Sequence, residues 1–158
     1  MGKITPFLWF DDDLEQALEF YASVFEHATI GDVSRYGEGG PGPAGTVISA
    51  SFELEGQEFI GLNGGPAHRF TEAVSFLVRA ETQDEIDRLW GRLIENGGAP
   101  GRCGWLQDQF GLSWQIVPSV LTDLLSDPDP GRAGRAMGAM LEMSKIDIAT
   151  LQAAADGP

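Results

Sequence analysis

The chain is poor in three things that would otherwise classify it. Its 158 residues contain one cysteine, Cys103, so no disulfide can close within the chain, and a cytoplasmic setting is expected. Basic residues are scarce: 10 Lys and Arg stand against 24 Asp and Glu, a formal net charge of -14. Such a surface repels phosphate backbones and anionic headgroups, which disfavours a nucleic-acid or membrane-surface binder. No apolar run approaches membrane-spanning length, and no apolar stretch follows a basic start in the manner of a secretion signal. Met1-Gly2 opens like a myristoylation site, but Pro6 stands where that signal requires Ser or Thr.

What is present supports one compact domain spanning residues 1–158. The chain is 42% hydrophobic with 9 Phe and 4 Trp, enough apolar mass for an ordinary core. Two segments carry helical periodicity. Leu14, Ala17, Leu18, Tyr21, Val24 and Phe25 follow the turn-like Asp11-Asp12-Asp13, and Ile86, Leu89, Trp90, Leu93 and Ile94 repeat the pattern later. Thr82 and Glu85 have capping-box spacing before the second helix, and Asn96-Gly97-Gly98 offers it a left-handed stop. Strand-like runs precede both helices, Ile4 to Phe10 and Ala73 to Ala80.

Superposing the two units with an offset of 69 residues pairs Phe7 with Phe76, Leu8 with Leu77, Tyr21 with Trp90 and Val24 with Leu93, the mark of an internal duplication. Leu14 and Leu18 then fall on Gln83 and Asp87, where the apolar match breaks. After the first helix come Thr29 to Tyr36, a glycine-rich loop, and a hairpin of Thr46 to Glu53 and Glu58 to Asn63 around Gly56. Cys103 to Pro118 supplies the last two strands of a shorter second unit. The expected layout is a first unit in 1–65, a second in 72–118, and a helical extension in 119–158.

The segments ITPFLWFDDDLEQALEFYASVF, GLNGGP, EAVSFLV, LWGRLIENGG and CGWLQDQFGLSWQIVP resemble the vicinal oxygen chelate superfamily. More narrowly they are similar to its PhnB-like branch, often labelled 3-demethylubiquinone-9 3-methyltransferase, as is the tail AMLEMSKIDIATLQAA. The resemblance implies an α+β fold of the glyoxalase/bleomycin resistance type: two βαβββ units in a curved mixed sheet around a cup, followed by C-terminal helices. It also implies a small-molecule ligand and a homodimer. A stripe of Ala133, Ala136, Met137, Met140 and Leu141 on a C-terminal helix fits either docking on a partner subunit or closure over the cup.

In metal-dependent members of the superfamily, each unit offers one ligand from its first strand and one from its last, usually His or Glu. Carried onto this chain, those positions fall at Thr5 or Pro6, Val74 or Ser75, Gly61 or Asn63, and Gln115. None is His, Glu, Asp or Cys. Amides and hydroxyls are weak ligands for zinc, iron or nickel, so no metal and no cofactor is predicted, with Glu53 or Glu58 as the alternative ligands. Strand alternation turns Ser49, Ser51 and Glu53, then Ser75, Leu77 and Arg79, toward the cup, where Asn63, Trp105 and Gln115 join them. Ser49, Ser51, Asn63, Ser75, Arg79, Trp105 and Gln115 are therefore the candidate ligand-binding residues, suited to hydrogen-bonding a polar molecule while stacking its flat part.

Glu53 and His68 are the candidate proton carriers if a reaction occurs. Cys103 reads as a packing residue, and as a nucleophile only if His27 or His68 approaches it. Gly37, Gly39 and Gly42 satisfy GxGxxG, but a strand follows them instead of a helix, which removes the anion-binding helix terminus that the motif serves. The function classes that remain are a small-molecule-binding protein of unassigned reaction, a ligand-sequestering resistance protein, a lyase, isomerase or dioxygenase with an unrecognised metal site, and an interaction protein with a filled cup, in which Gln115 would bond to protein groups and no cavity would be present.

Overall fold

The computed structural model describes residues 2–158. The chain divides into two compact units, the first ending at Phe70 and the second spanning Thr71–Pro158. In the first, β1 (Phe7–Phe10) leads to α1 (Leu14–Val24), followed by β2 (Ala28–Arg35), β3 (Val47–Leu54) and β4 (Gln57–Asn63). Its sheet has the order β1-β4-β3-β2, with β1 parallel to β4 and the other pairs antiparallel. Alternation works as the sequence predicts: Ala50, Phe52 and Leu54 are buried toward α1, while Ser49 and Ser51 are half-buried and Glu53 is exposed. The β3–β4 hairpin turns through Glu55 (φ 48°) and Gly56 (φ 84°), the two successive left-handed residues that suit the twist of a tight hairpin.

The second unit repeats the plan with β5 (Ser75–Arg79), α2 (Gln83–Leu93), the short β6 (Ala99–Pro100), β7 (Trp105–Gln107) and β8 (Ser113–Val117), in sheet order β5-β8-β7-β6. Thr82 caps α2 by accepting from the Glu85 amide at 3.1 Å, while the Glu85 carboxylate accepts from Glu81 N, one residue before the position a capping box would use. Asn96 (φ 59°) and Gly97 (φ 107°) end the helix in left-handed conformation.

The duplication holds, with one correction. In the helices the offset of 69 stands: Ala17 and Ile86, Tyr21 and Trp90, and Val24 and Leu93 are all buried. In the first strands it inverts the faces, since Leu8 is 7% exposed and Leu77 is 48% exposed. Buried Leu8 and Phe10 correspond instead to half-buried Val78 and buried Ala80, because three residues link β1 to α1 and only two link Ala80 to α2. A slip of one residue sends every strand side chain to the other face.

The two positions where the apolar match breaks have a structural reason. The Gln83 Nε2 group donates to the Ile146 carbonyl at 3.0 Å, and its Oε1 accepts from Ile148 N at 2.9 Å. Asp87 pairs with Lys145 at 2.8 Å, and that hydrogen bond, joined by one from Gln83, holds its carboxyl below the usual range. The second unit thus uses these polar positions to clip on a segment that the first unit lacks. That extension forms α3 (Ser119–Leu125), α4 (Pro130–Leu141) and α5 (Ile148–Asp156), packed around Leu121, Leu124, Ala136, Ile146, Leu151 and Ala155 and anchored on Val117 of β8. The buried residue of the α4 stripe is Ala136, whereas Met137 and Leu141 are 42% and 49% exposed.

Candidate functional site

Each sheet has one face packed on its helix and one open face, and the ladders fix which side chains are neighbours on the open one. In the second unit, Leu77, Gln115 and Trp105 form one row across β5, β8 and β7, and Ser75, Ser113 and Gln107 form the next. Gln115 is half-buried, and its Nε2 donates to Ser75 Oγ at 2.9 Å. One amide hydrogen is thereby committed within the protein, which leaves the group its oxygen and a second N–H to offer. Arg79 is exposed at the end of β5, beside Val117.

In the first unit, Thr29, Glu53 and Glu58 stand in one row across β2, β3 and β4. With Thr5, Gly31 and Ser51 they line a cavity of about 660 Å³. Ser51 Oγ accepts from the Asp32 amide at 2.9 Å where β2 bulges between Ile30 and Val33, so its hydroxyl is partly used in shaping that edge. Ser49 lies further along β3 between Ser34 and Leu62. Directly opposed carboxylates repel, and Glu53 and Glu58 are such a pair.

Two predicted residues sit apart from these rows. Asn63 points to the helix side of the first sheet: its Oδ1 accepts from Leu14 N at 3.0 Å, and its Nδ2 donates to Glu15 and to the Val47 carbonyl. It replaces the missing side-chain cap of Asp13, a contribution of about 1 kcal/mol to α1, and is spent on structure. Burial raises the Asp13 carboxyl above its usual range, and repulsion from Asp12 and Asp11 adds to this against an opposing backbone hydrogen bond. His68 lies on an exposed loop with its ring edge-on to Trp9, centroids 4.7 Å apart, while the Trp9 indole donates to the Gly65 carbonyl.

His27 pairs with Glu55 at 3.1 Å. Burial pushes the Glu55 carboxyl up, but hydrogen bonds from the His27 amide and ring outweigh this and leave it below its usual range. Cys103 occupies a turn at φ 58°, its amide bonded to the Met143 carbonyl. Glu72, Gln107 and Ser113 line a second cavity, of about 240 Å³, beside Trp105. Alternation already puts Ser113 on the Gln115 face and, carried on from Trp105, would have found Gln107; nothing in sequence pointed to Glu72.

The side chains at the positions expected from metal-dependent members of the superfamily are hydroxyls and amides, weak donors for a transition metal. Of the positions expected to carry ligands, Ser75 and Gln115 bond to each other, Asn63 is spent on Leu14 N and the Val47 carbonyl, and Gly61 has no side chain to offer. Among the described residues, no group of three or more His, Cys, Asp or Glu side chains is placed to hold a metal ion.

Paired βαβββ units with open mixed sheets define the glyoxalase/bleomycin resistance fold of the vicinal oxygen chelate proteins. The model of the 3-demethylubiquinone-9 3-methyltransferase family matches residues 2–117, and the chain belongs to that family. A putative 3-demethylubiquinone-9 3-methyltransferase, PhnB protein, from Bacillus cereus is 40% identical over 74% of this chain and 99% of its own, with a TM-score of 0.68. The fosfomycin resistance protein FosX from Mesorhizobium loti shares the fold at 17% identity, covering 80% of this chain and 98% of its own with a TM-score of 0.57. A FosX from Listeria monocytogenes, solved with Mn(II) and sulfate, shares it at 14% identity over 74% of this chain and 89% of its own, with a TM-score of 0.51. A comparison with curated proteins gave no match.

Proposed function

We propose that the protein binds a small organic molecule with a polar group and a flat or apolar body against the open sheet face of its second unit, without a catalytic transition metal. The observation that carries this reading is the bond between Ser75 and Gln115 in the row beside Trp105 and Leu77. Where metal-dependent members have hard or borderline ligands, this chain has a neutral hydrogen-bonding pair flanked by apolar surface. Methyl transfer, the reaction in the family's description, is not part of this reading. The GxGxxG stretch here connects β2 to β3, so no helix N-terminus stands behind it to receive a phosphate or nucleotide.

The expected result is that aromatic fragments bearing amide, hydroxyl or amine groups shift the backbone amides of Trp105 and Gln115 in NMR spectra. Gln115→Leu should weaken the best of them about tenfold, the equivalent of one lost hydrogen bond. Metal analysis of protein purified without added metal should find far less than one zinc, iron or nickel per chain. Stoichiometric metal held by sheet-face residues would defeat the reading, and so would a fragment library that leaves both amides unmoved.

A catalytic version has one supporting observation. Glu53 is exposed but lines the larger cavity, where a carboxylate can accept a proton from a molecule bound there. His68 remains the second candidate for that role, from its exposed loop near Trp9.

A homodimer in the cytoplasm completes the proposal. Phe7 is 58% exposed on the open face of the first sheet, and Ile30 and Val33 are exposed on its edge strand β2, all surface that a second copy would cover while leaving the second unit's open face to the ligand. Light scattering should return twice the chain mass of 17.0 kDa at micromolar concentration, and a value of one chain mass would remove this part.

A further inference from the structure

The open face of the second unit contains one hydroxyl that the fold leaves unused. Ser113 is 1% exposed, and its Oγ has no hydrogen-bond partner. A buried hydroxyl without a partner is disfavoured, and alanine would fill the same space at no such cost. Its neighbours in the ladder are occupied elsewhere: Ser75 accepts from Gln115, and Gln107 donates to a Glu72 carboxylate oxygen at 2.6 Å. Because β8 lies between β5 and β7, a bond from the residues leading into β5 across to β7 passes over the start of β8, where Ser113 lies. Glu72, Gln107, Trp105 and Ser113 line the cavity of about 240 Å³ together with Ala99, Pro100 and Gly101.

The chemistry of this lining is lopsided. One Gln107 N–H is spent on Glu72, which leaves its Oε1 and a second N–H; the Glu72 carboxylate only accepts; the Ser113 hydroxyl, with no partner in the fold, is free to accept from a ligand. No lysine or arginine lines the cavity, and the Trp105 indole forms part of its wall. A single carboxylate is too few hard ligands for a divalent cation, and an anion would meet Glu72 unopposed. The complement of several acceptors, one negative charge and an aromatic wall is a group with positive charge and several N–H donors.

We infer that this cavity receives the primary ammonium group of an organic amine whose apolar body runs along Trp105 toward Leu77. The inference rests on the small-molecule reading above and supplies the ligand's chemical class. Ser113 is then a residue whose hydroxyl is satisfied only in the complex.

The test compares three probes of one shape on the full chain, phenethylamine, 2-phenylethanol and phenylacetate, followed at the Ser113 amide and Trp105 indole signals. Phenethylamine should bind about tenfold or more tighter than the alcohol, and phenylacetate should not bind. Glu72→Gln should remove about tenfold of the amine's affinity and leave the alcohol's unchanged. Ser113→Ala should weaken the amine several-fold while raising the thermal midpoint of the free protein by about 2–4 °C, since it deletes an unbonded buried hydroxyl. Equal binding of amine and alcohol, or amine affinity indifferent to Glu72→Gln, overturns the ammonium assignment and leaves binding at the sheet face standing. A lowered midpoint for Ser113→Ala overturns it as well, because the hydroxyl would then be bonded within the protein. If none of the three probes moves either signal and the broader fragment set also fails at Trp105 and Gln115, both readings fall.

Discussion

Asp108→Ala should cost the fold about 4 kcal/mol, a large share of the 5–15 kcal/mol that separates a native domain from its unfolded chain. Asp108 is 3% exposed. Its Oδ1 accepts from the amides of Phe110 and Leu112 at 2.9 and 3.0 Å, and its Oδ2 accepts from the Trp114 indole at 2.9 Å. Its own backbone closes the same turn, with Asp108 N donating to the Leu112 carbonyl and Gly111 N, at φ 87°, donating to the Asp108 carbonyl. One carboxylate therefore ties β7 to β8 and satisfies three donors, and alanine would strand the Leu112 amide and the indole away from water.

Asp108→Asn separates charge from shape. Its oxygen still serves the two amides, but its NH₂ faces the indole N–H, so a loss of about 2 kcal/mol is expected, intermediate between wild type and Ala. Urea unfolding followed by tryptophan fluorescence reads both values. Midpoints for the two variants equal to wild type would show that the knot does not hold the hairpin. The consequence for function follows from sequence neighbours, since Gln107 and Ser113 flank this turn and take their places on the open face from it.

Gly98→Ala should cost about 3 kcal/mol and lower the thermal midpoint by roughly 6–12 °C. The reason is not backbone conformation, because Gly98 has φ -66° and ψ 168°, which any residue adopts. A methyl at Gly98 would lie 2.6 Å from Ile94 Cα and 2.8 Å from the Gln107 carbonyl oxygen. Both are backbone atoms and neither can rotate aside, so the segment leading into β6 must move away from β7 and strain the pairs Ala99–Gln107 and Pro100–Leu106. Gly97 is the control. Its φ of 107° penalises alanine, but nothing lies within 4 Å of the added carbon, so Gly97→Ala should cost about 1–2 kcal/mol. Equal midpoints for the two variants would refute the steric account.

Sequence reasoning reached the elements because their causes are local. The Thr82 cap, the Asn96-Gly97 stop, the hairpin at Gly56 and the apolar faces of α1 and α2 each depend on residues within a turn or two of one another. It reached the open face of β8 for the same reason, since Ser113 and Gln115 alternate with Trp114 and Ile116. It placed Asn63 on the wrong side of the sheet because the residue's partner, Leu14 N, lies 49 positions away and offers no local signal. The strand offset failed by one because it hung on the length of a short link, to which the helical pattern is insensitive and the strand pattern acutely sensitive.

The order and type of the secondary elements, the repetition of one unit in another, and the lack of imidazole, thiolate and carboxylate at the family's ligand positions were properties of the chain itself, because composition and short-range periodicity carry them. Tertiary structure alone decided which polar side chains were consumed and which stayed available. Ser75, Ser51, Asn63 and Gln83 find hydrogen-bond partners on other elements, and Ser113 does not. Whether a buried polar atom is satisfied depends on which distant strand or helix packs against it, and that is set by three-dimensional register and not by the residue's neighbours in sequence.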